Sequence, residues 1–201
     1  DGSATEYGLQ VFIGLSLYTF VADVINRAPA SVWSYPYLVT KVRFPVEMLP
    51  MVQVGAAGLQ LVLALLVTLP FMLWRGGLHW AVLLLPLYLL PLLLYVLALG
   101  WLLGALSVYL RDIGHLAPSF SSLLLFLTPI FYPASMVPAS LRWMVDLNPL
   151  AWAAEAARSV LLNGTAAPWE GWGMHLVVSC TLATMGWAFF QRVKPGFADV
   201  L

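Results

Sequence analysis

The stretch Ser122-Leu-Leu-Leu-Phe-Leu-Thr-Pro-Ile-Phe-Tyr-Pro133 begins as an apolar run and is then interrupted by prolines. Proline lacks a backbone donor and ends or kinks a helix, so a segment that enters a bilayer here leaves helical geometry early. Irregular backbone at membrane depth is tolerated only where protein or a watery cavity satisfies its polar groups. The sequence therefore predicts a re-entrant or half-membrane helical hairpin over residues 133–172.

The composition indicates an integral membrane protein. Hydrophobic residues make up 62% of the chain, charged residues 9%, and the mean hydropathy is +0.90, which is far from soluble norms. The nine basic and nine acidic residues give no net charge, so nucleic acid is not expected as a partner. With the single cysteine Cys180, no disulfide within the chain and no CxxC metal motif is possible. We expect no metal and no bound cofactor.

Five charge-poor segments are candidate membrane spans, because a helix of about 20 apolar residues crosses the hydrocarbon. They cover residues 7–26, 48–74, 80–110, 116–132 and 174–191. The third is longer than a straight crossing, so Pro86 and Pro91 are predicted to mark an interfacial lead-in or a kink. Gly100 and Gly104 have the GxxxG spacing of closely packed helices. The expected fold is an all-α membrane protein with five transmembrane helices plus the hairpin.

The distribution of lysine and arginine predicts the orientation. One side of the predicted spans carries six of these residues and the other side three, namely Arg27, Lys41, Arg43, Arg111, Arg192 and Lys194 against Arg75, Arg142 and Arg158. The richer side should be cytoplasmic, which places the C-terminus inside and residues 133–172 outside. The same assignment puts Asp1 outside, with neither Met nor a signal core at the start. We therefore expect upstream residues to be missing.

The loop 27–47 is predicted to lie in the cytoplasm. Between Pro36 and Pro45 there is room for about two helical turns, on which Tyr37, Leu38 and Lys41 would share a face. One interpretation is an interfacial loop whose basic residues meet anionic lipid. The other is a helix that docks into a cytosolic partner and transmits its movements.

Four short motifs follow one another along nearly the whole chain. They are Leu38-Val-Thr-Lys-Val-Arg-Phe-Pro45, Tyr109-Leu-Arg-Asp-Ile-Gly-His115, Thr128-Pro-Ile-Phe-Tyr-Pro133 and Asn148-Pro-Leu150. Together with the ending 191–201, this set resembles the membrane subunits of ABC transporters that export polysaccharides or polyol phosphates, within the type 2 exporter permeases. Members of that family have six spans after an amphipathic helix. That helix and the first span have no counterpart here.

The resemblance implies a channel formed by this chain and a second copy of itself, with two ABC ATPase subunits docked below. The substrate would be a lipid-linked glycan of the O-antigen, capsule or teichoic acid class, and the location a bacterial inner membrane. The chain has no GxxxxGK[ST] motif to cradle phosphates, so ATP and Mg²⁺ are expected on the partner ATPase. The loop 27–47 would be the coupling loop, with contacts from Tyr37, Leu38, Lys41 and Arg43.

Arg111 and Asp112 lie at a predicted cytoplasmic helix end. Either residue could cap backbone groups or meet lipid headgroups. Alternatively they could mark the substrate entrance, since the planar guanidinium of Arg111 suits bidentate contact with the pyrophosphate of a lipid carrier.

Aromatic residues flank the break on the predicted outer side, namely Phe126, Phe131, Tyr132, Trp143 and Trp152. They could belong to an interfacial belt or line a glycan channel through weak, repeated contacts. The nearby charges are expected to neutralise one another, and Glu155 and Arg158 could pair at i, i+3. Asn148 is expected at the turn, with Pro149 opening the second hairpin helix.

An enzymatic function has little support in the sequence. The histidines His79, His115 and His175 lie in separate segments and form no HExxH or compact ligand set, so we expect no catalytic residue and no metal site. A non-transporting scaffold or assembly subunit is the alternative to an exporter. The two differ in whether the coupling loop engages an ATPase and whether a continuous channel forms.

Overall fold

The computed structural model describes residues 2–41, 44–75, 79–131, 137–138, 140 and 142–200, and the regular elements among them are all helices. The α-helices are α1 (Gly2–Trp33), α2 (Pro36–Thr40), α3 (Met48–Leu66), α4 (Leu69–Arg75), α5 (Leu85–Tyr109), α6 (Ile113–Leu127), α7 (Arg142–Asp146), α8 (Pro149–Leu162), α9 (Trp169–Val193) and α10 (Phe197–Val200). Short 3₁₀ helices, Trp80–Leu84 and Lys194–Gly196, precede α5 and α10.

Four helical segments of the described chain are long and apolar enough to cross a membrane: Ala4–Trp33, Met48–Trp74, Trp80–Tyr109 and Gly171–Val200. The predicted all-α membrane fold is confirmed. The span predicted at 116–132 is instead the 15-residue apolar helix α6, which ends at Leu127. It ends there because Thr128 is extended, with φ −101° and ψ 131°, as expected of a residue that precedes proline.

Hydrogen bonds from α1 fix the direction of α6, and a further bond places the turn between α7 and α8 next to the end of α6. Tyr18 donates to the Ser121 carbonyl at 3.1 Å and Tyr7 donates to the Phe131 carbonyl at 2.9 Å, so α6 runs antiparallel to α1. Asn148, between α7 and α8, donates to Thr128 Oγ1 at 3.0 Å. Helices α7 and α8 form a helical hairpin within the predicted segment 133–172, and its turn lies beside the residue at which α6 breaks.

Helix α5 lies at the centre of the bundle and contacts α1, α3, α8 and α9. A Cβ atom on Gly104 would lie 3.1 Å from Pro50 Cγ and 3.2 Å from Ser31 Oγ, so the predicted GxxxG packing is confirmed against α1 and α3. Gly186 of α9 is closer still, because a Cβ there would lie 2.9 Å from the Ala98 carbonyl oxygen. Small residues thus allow backbones to approach on two sides of α5.

The loops bring the basic residues to one end of the bundle. Lys194 Nζ donates to Glu47 Oε2 at 2.6 Å and the Tyr109 hydroxyl donates to the Val193 carbonyl at 2.9 Å, which joins the ends of α5 and α9 to the start of α3. We call this the basic end; it carries Arg27, Lys41, Arg111, Arg192 and Lys194. The opposite end carries Tyr7, His79 and Asn163 and is called the His79 end.

Substitution of Gly186 by alanine should destabilise the bundle, because the neighbour that must yield is the α5 backbone rather than a flexible side chain. We expect Gly186→Ala to lower the free energy of unfolding by about 1–3 kcal/mol, as overpacking does. Gly55→Ala is the matched control, since a Cβ there meets nothing within 4 Å and alanine favours helix. Denaturation of the purified subunit in detergent measures both, and equal stability of the two variants would contradict the close packing.

Candidate functional site

The break after α6 is held by the guanidinium of Arg158, which projects from α8. Its Nε donates to the Gln10 carbonyl at 3.1 Å and its Nη2 to the Ile130 carbonyl at 2.7 Å. Its Nη1 donates to the Pro129 carbonyl at 3.3 Å and to Glu155 Oε1 at 3.1 Å. This set of contacts, which we call the Arg158 clamp, joins α1, α8 and the segment after α6.

The Arg158 clamp supplies donors to the Pro129 and Ile130 carbonyls, which lie beyond the end of α6. Carbonyls beyond a helix end have no donor within the helix, and in a bilayer an unsatisfied group costs several kcal/mol. The Arg158 side chain is only 10% exposed, so its charge needs compensation. Glu155 supplies it, and the predicted i, i+3 pair is confirmed. Gly14 leaves the necessary room, since a Cβ there would lie 2.7 Å from Arg158 Nη2.

Asn148 holds the same break from the hairpin turn. Its Oδ1 accepts from the Leu150 amide at 3.0 Å, which caps α8, while its Nδ2 donates to Thr128 Oγ1 at 3.0 Å. Pro149 occupies the first helical turn, where its missing N–H is not needed. The predicted turn at Asn148 and Pro149 is therefore confirmed, and Asn148 also anchors the break.

A cavity of about 190 Å³ lies beside the Arg158 clamp at the His79 end. Its polar wall includes Gln10, Glu155, Ser159 and Asn163, and two aromatic residues, Tyr7 and Phe131, also line it. Sequence reasoning singled out Phe131, Glu155 and Arg158, but it did not connect Tyr7, Gln10 or Ser159 with them, because α1 and α8 are far apart in the chain. Only the fold shows that their polar residues meet.

A second cavity, of about 530 Å³, forms a groove at the basic end between α1, α2 and α6. Arg111 lines this groove, and so do residues that the sequence did not suggest, namely Asn26, Trp33 and His115. Asp112 is exposed at the start of α6, without a side-chain capping bond, and is not among the residues that line the groove. His115 lies four positions after Arg111, and this i, i+4 spacing at the start of a helix could have predicted that the two side chains lie on the same side of α6.

Helix α2 lies on the basic end and presents a partly exposed surface. Tyr37 is 62% exposed and Lys41 is exposed, whereas Leu38 is half-buried against a cluster that contains Val32 and Phe190. Leu38 therefore points partly toward the bundle, whereas Tyr37 and Lys41 are exposed. Arg43 lies outside the described residues.

The aromatic residues around the break do not form one group. Phe126 and Trp143 are 75% and 60% exposed, and Phe131 is less exposed at the cavity. Trp152 is half-buried and packs against Tyr88 and His175, with ring centroids 6.0 and 5.4 Å away. Trp152 thus lies among α5, α8 and α9, apart from the others. Tyr132 lies outside the described residues.

Glu47 and Lys194 form the ion pair that joins the loop 27–47 to the end of α9. Burial acts to raise the pKa of Glu47, but hydrogen bonds from Lys194, from its own backbone and from Gln191, with the Lys194 charge, outweigh it and lower the pKa below its usual value. The Glu47–Lys194 pair therefore stabilises the fold fully at pH values above the ordinary carboxylate pKa. This contribution is lost as the pH falls through the lowered pKa of Glu47.

The chain matches the family model described as ABC-2 type transporter over residues 6–162. It belongs to this family. This ABC-2 family member is also similar to the O-antigen export system permease protein RfbA of Klebsiella pneumoniae, with 23% identity over 199 residues that cover 98% of this chain and 76% of the relative. The RfbA protein of Myxococcus xanthus is 27% identical over 196 residues, covering 94% and 74%. The family suggested by the motifs is confirmed.

In this ABC-2 family member, Arg158→Lys should loosen the break although the charge is kept, because an ammonium cannot reproduce the guanidinium fork. We expect a loss of about 3 kcal/mol of unfolding free energy, since several buried carbonyls lose a donor. Arg192→Lys, at an exposed position, is the control and should have little effect. Comparable stability of the two variants in denaturation would show that the Arg158 clamp does not support the fold.

Proposed function

We propose that this chain is the channel-forming permease subunit of an ATP-driven exporter of lipid-linked polysaccharide, of the O-antigen, capsule or teichoic acid class. Two copies would enclose the channel and two ABC ATPase subunits would bind at the basic end, in a bacterial inner membrane with the C-terminus in the cytoplasm. The observation that carries the proposal is the ABC-2 match over residues 6–162, together with relatives named as O-antigen export permeases.

The exposed residues of α2 at the basic end are consistent with the docking of an ATPase there. Tyr37 and Lys41 are exposed on and just after α2, and together with Leu38 and Arg43 they form the proposed coupling contact. Behind them, Leu38 packs on the cluster with Val32 and Phe190, and α2 contacts α10. A partner that displaces α2 would therefore push directly on α1 and α9. The chain itself would be non-catalytic, with ATP and Mg²⁺ bound and ATP hydrolysed on the partner.

The groove at the basic end supports the entrance of a phosphate-containing lipid. Arg111 offers a guanidinium fork for phosphate oxygens, and His115 beside it adds a second nitrogen donor. Trp33, Pro29 and Ala30 give the same groove an apolar wall. A polar head with a long apolar tail fits this combination, with Asp112 near the opening.

At the His79 end, we propose that Phe126, Phe131, Tyr132 and Trp143 contact the glycan as it leaves. The high exposure of Phe126 and Trp143 supports this role, since a conduit must bind weakly. Trp152 would have a structural role and would not contact the glycan, because its ring contacts with Tyr88 and His175 hold α8 against α5 and α9.

A scaffold subunit without transport is the second candidate function. Affinity purification of the full-length subunit from native membranes in mild detergent, followed by mass spectrometry, separates the two. A stoichiometric ATPase is expected for an exporter. Its reproducible absence from intact, folded subunit would overturn the proposal in favour of the scaffold.

Tyr37→Asp should disrupt docking without harming the fold, because Tyr37 is exposed whereas Leu38 contacts the bundle. A carboxylate buried at the interface would lower the amount of co-purified ATPase about tenfold or more. Tyr37→Phe keeps an aromatic ring at the same exposed position and adds no charge, so it is the matched control and should retain the ATPase. Undiminished ATPase with Tyr37→Asp would remove α2 from the interface.

Arg111→Ala should slow export of the lipid-linked glycan about tenfold through loss of a charge-assisted phosphate contact, while ATPase co-purification persists. Arg192→Ala removes an exposed arginine at the same end, outside the groove, and should export normally. The measurement is appearance of polymer outside the inner membrane in cells that carry each variant. If both variants export equally, Arg111 has only a headgroup or capping role.

A further inference from the structure

The cavity at the His79 end contains polar side chains with unused hydrogen-bonding capacity. Gln10 and Asn163 each carry an amide and Ser159 a hydroxyl. Within the described part of the chain, no hydrogen bond is found to any of these three side-chain groups, although the backbone carbonyls of Gln10 and Ser159 accept bonds. Amides and hydroxyls both donate and accept, so the cavity can satisfy a ligand that does the same.

The electrostatics of the cavity disfavour an anionic ligand. Among the described residues that line it, Arg158 is the one that carries a positive charge. Four hydrogen bonds already direct its guanidinium at carbonyls and at Glu155. The Glu155 carboxylate is 46% exposed and uses Oε1 for this pair, which leaves Oε2 as an acceptor. A phosphate in this cavity would be repelled by the Glu155 carboxylate, and the Arg158 guanidinium, which is already neutralised, would not compensate.

The aromatic wall gives the cavity an apolar side. Tyr7 is held in place because its hydroxyl donates to the Phe131 carbonyl at 2.9 Å, and the Phe131 ring lines the same space. The volume of about 190 Å³ is below the roughly 300–1,000 Å³ of pockets for drug-sized ligands. The ligand that matches is small, neutral and rich in hydroxyls, and has one apolar face.

We propose that this cavity is a binding subsite for one neutral sugar unit. Gln10, Ser159 and Asn163 would hydrogen-bond ring hydroxyls, the free oxygen of Glu155 would accept from another, and Tyr7 and Phe131 would cover the apolar face of the ring. This proposal rests on the proposed export of a glycan. It adds a defined site at the His79 end where one sugar unit of the passing glycan is bound.

Direct binding tests the subsite without transport. The full-length subunit in lipid nanodiscs is titrated with the methyl α-glycosides of glucose, galactose and mannose, and separately with inorganic phosphate, by saturation-transfer NMR and phosphorus NMR. Asn163→Ala and Gln10→Ala should each raise the Kd of a bound glycoside about five-fold, the worth of one hydrogen bond. Gln60→Ala removes an exposed amide that lines a different groove, between α1 and α3, and should leave the Kd unchanged.

Three results would overturn the subsite: no glycoside binds, glycoside binding is unaffected by both Asn163→Ala and Gln10→Ala, or phosphate binds with that same dependence. Asn163 is exposed at the end of α8, so its variant should fold, and unchanged size-exclusion behaviour checks this. If the ATPase co-purifies and glycan is exported but no glycoside binds, the subsite fails and the exporter stands. If a glycoside binds with the expected dependence but no ATPase co-purifies, the subsite stands and the exporter fails.

Discussion

The Arg158 clamp is the interaction on which the rest of this architecture depends. A helix that ends inside a bilayer exposes carbonyls that neither lipid nor the helix can satisfy. Here one guanidinium donates to carbonyls from two separate segments and is neutralised by Glu155, one turn away. Asn148 ties the hairpin turn to Thr128 from the other side. Because the break is satisfied in this way, α6 can stop early and the hairpin α7–α8 can enter the bundle.

Much of this arrangement was predictable from local sequence. Proline positions predicted the break, the Asn148-Pro149 pair predicted the start of α8, the i, i+3 spacing predicted the Glu155–Arg158 pair, and GxxxG predicted close packing on α5. Each of these signals acts within a few residues. The family could be inferred for a different reason, since four motifs in a fixed order are specific even when each is weak.

What the sequence could not show is which side chains meet across the bundle. Trp152 looks like the other aromatic residues near the break, yet burial against Tyr88 and His175 separates it from them. Leu38 shares a short helix with Tyr37, but contact with the cluster around Phe190 turns it inward. The predicted span 116–132 is longer than α6, because the apolar run continues through Pro129 whereas the residue before a proline favours extended geometry.

The close approach of Gly186 to the Ala98 carbonyl limits how the bundle can move. Helices α5 and α9 touch there at mid-length, and they are bonded near one end by Tyr109 to Val193 and near the other by Trp172, whose Nε1 donates to the Leu87 carbonyl at 2.8 Å. Two helices that are in contact at three points along their length cannot slide past each other or separate independently. We therefore expect α5 and α9 to move as one unit, so that a push on α9 from α2 is passed on to α5.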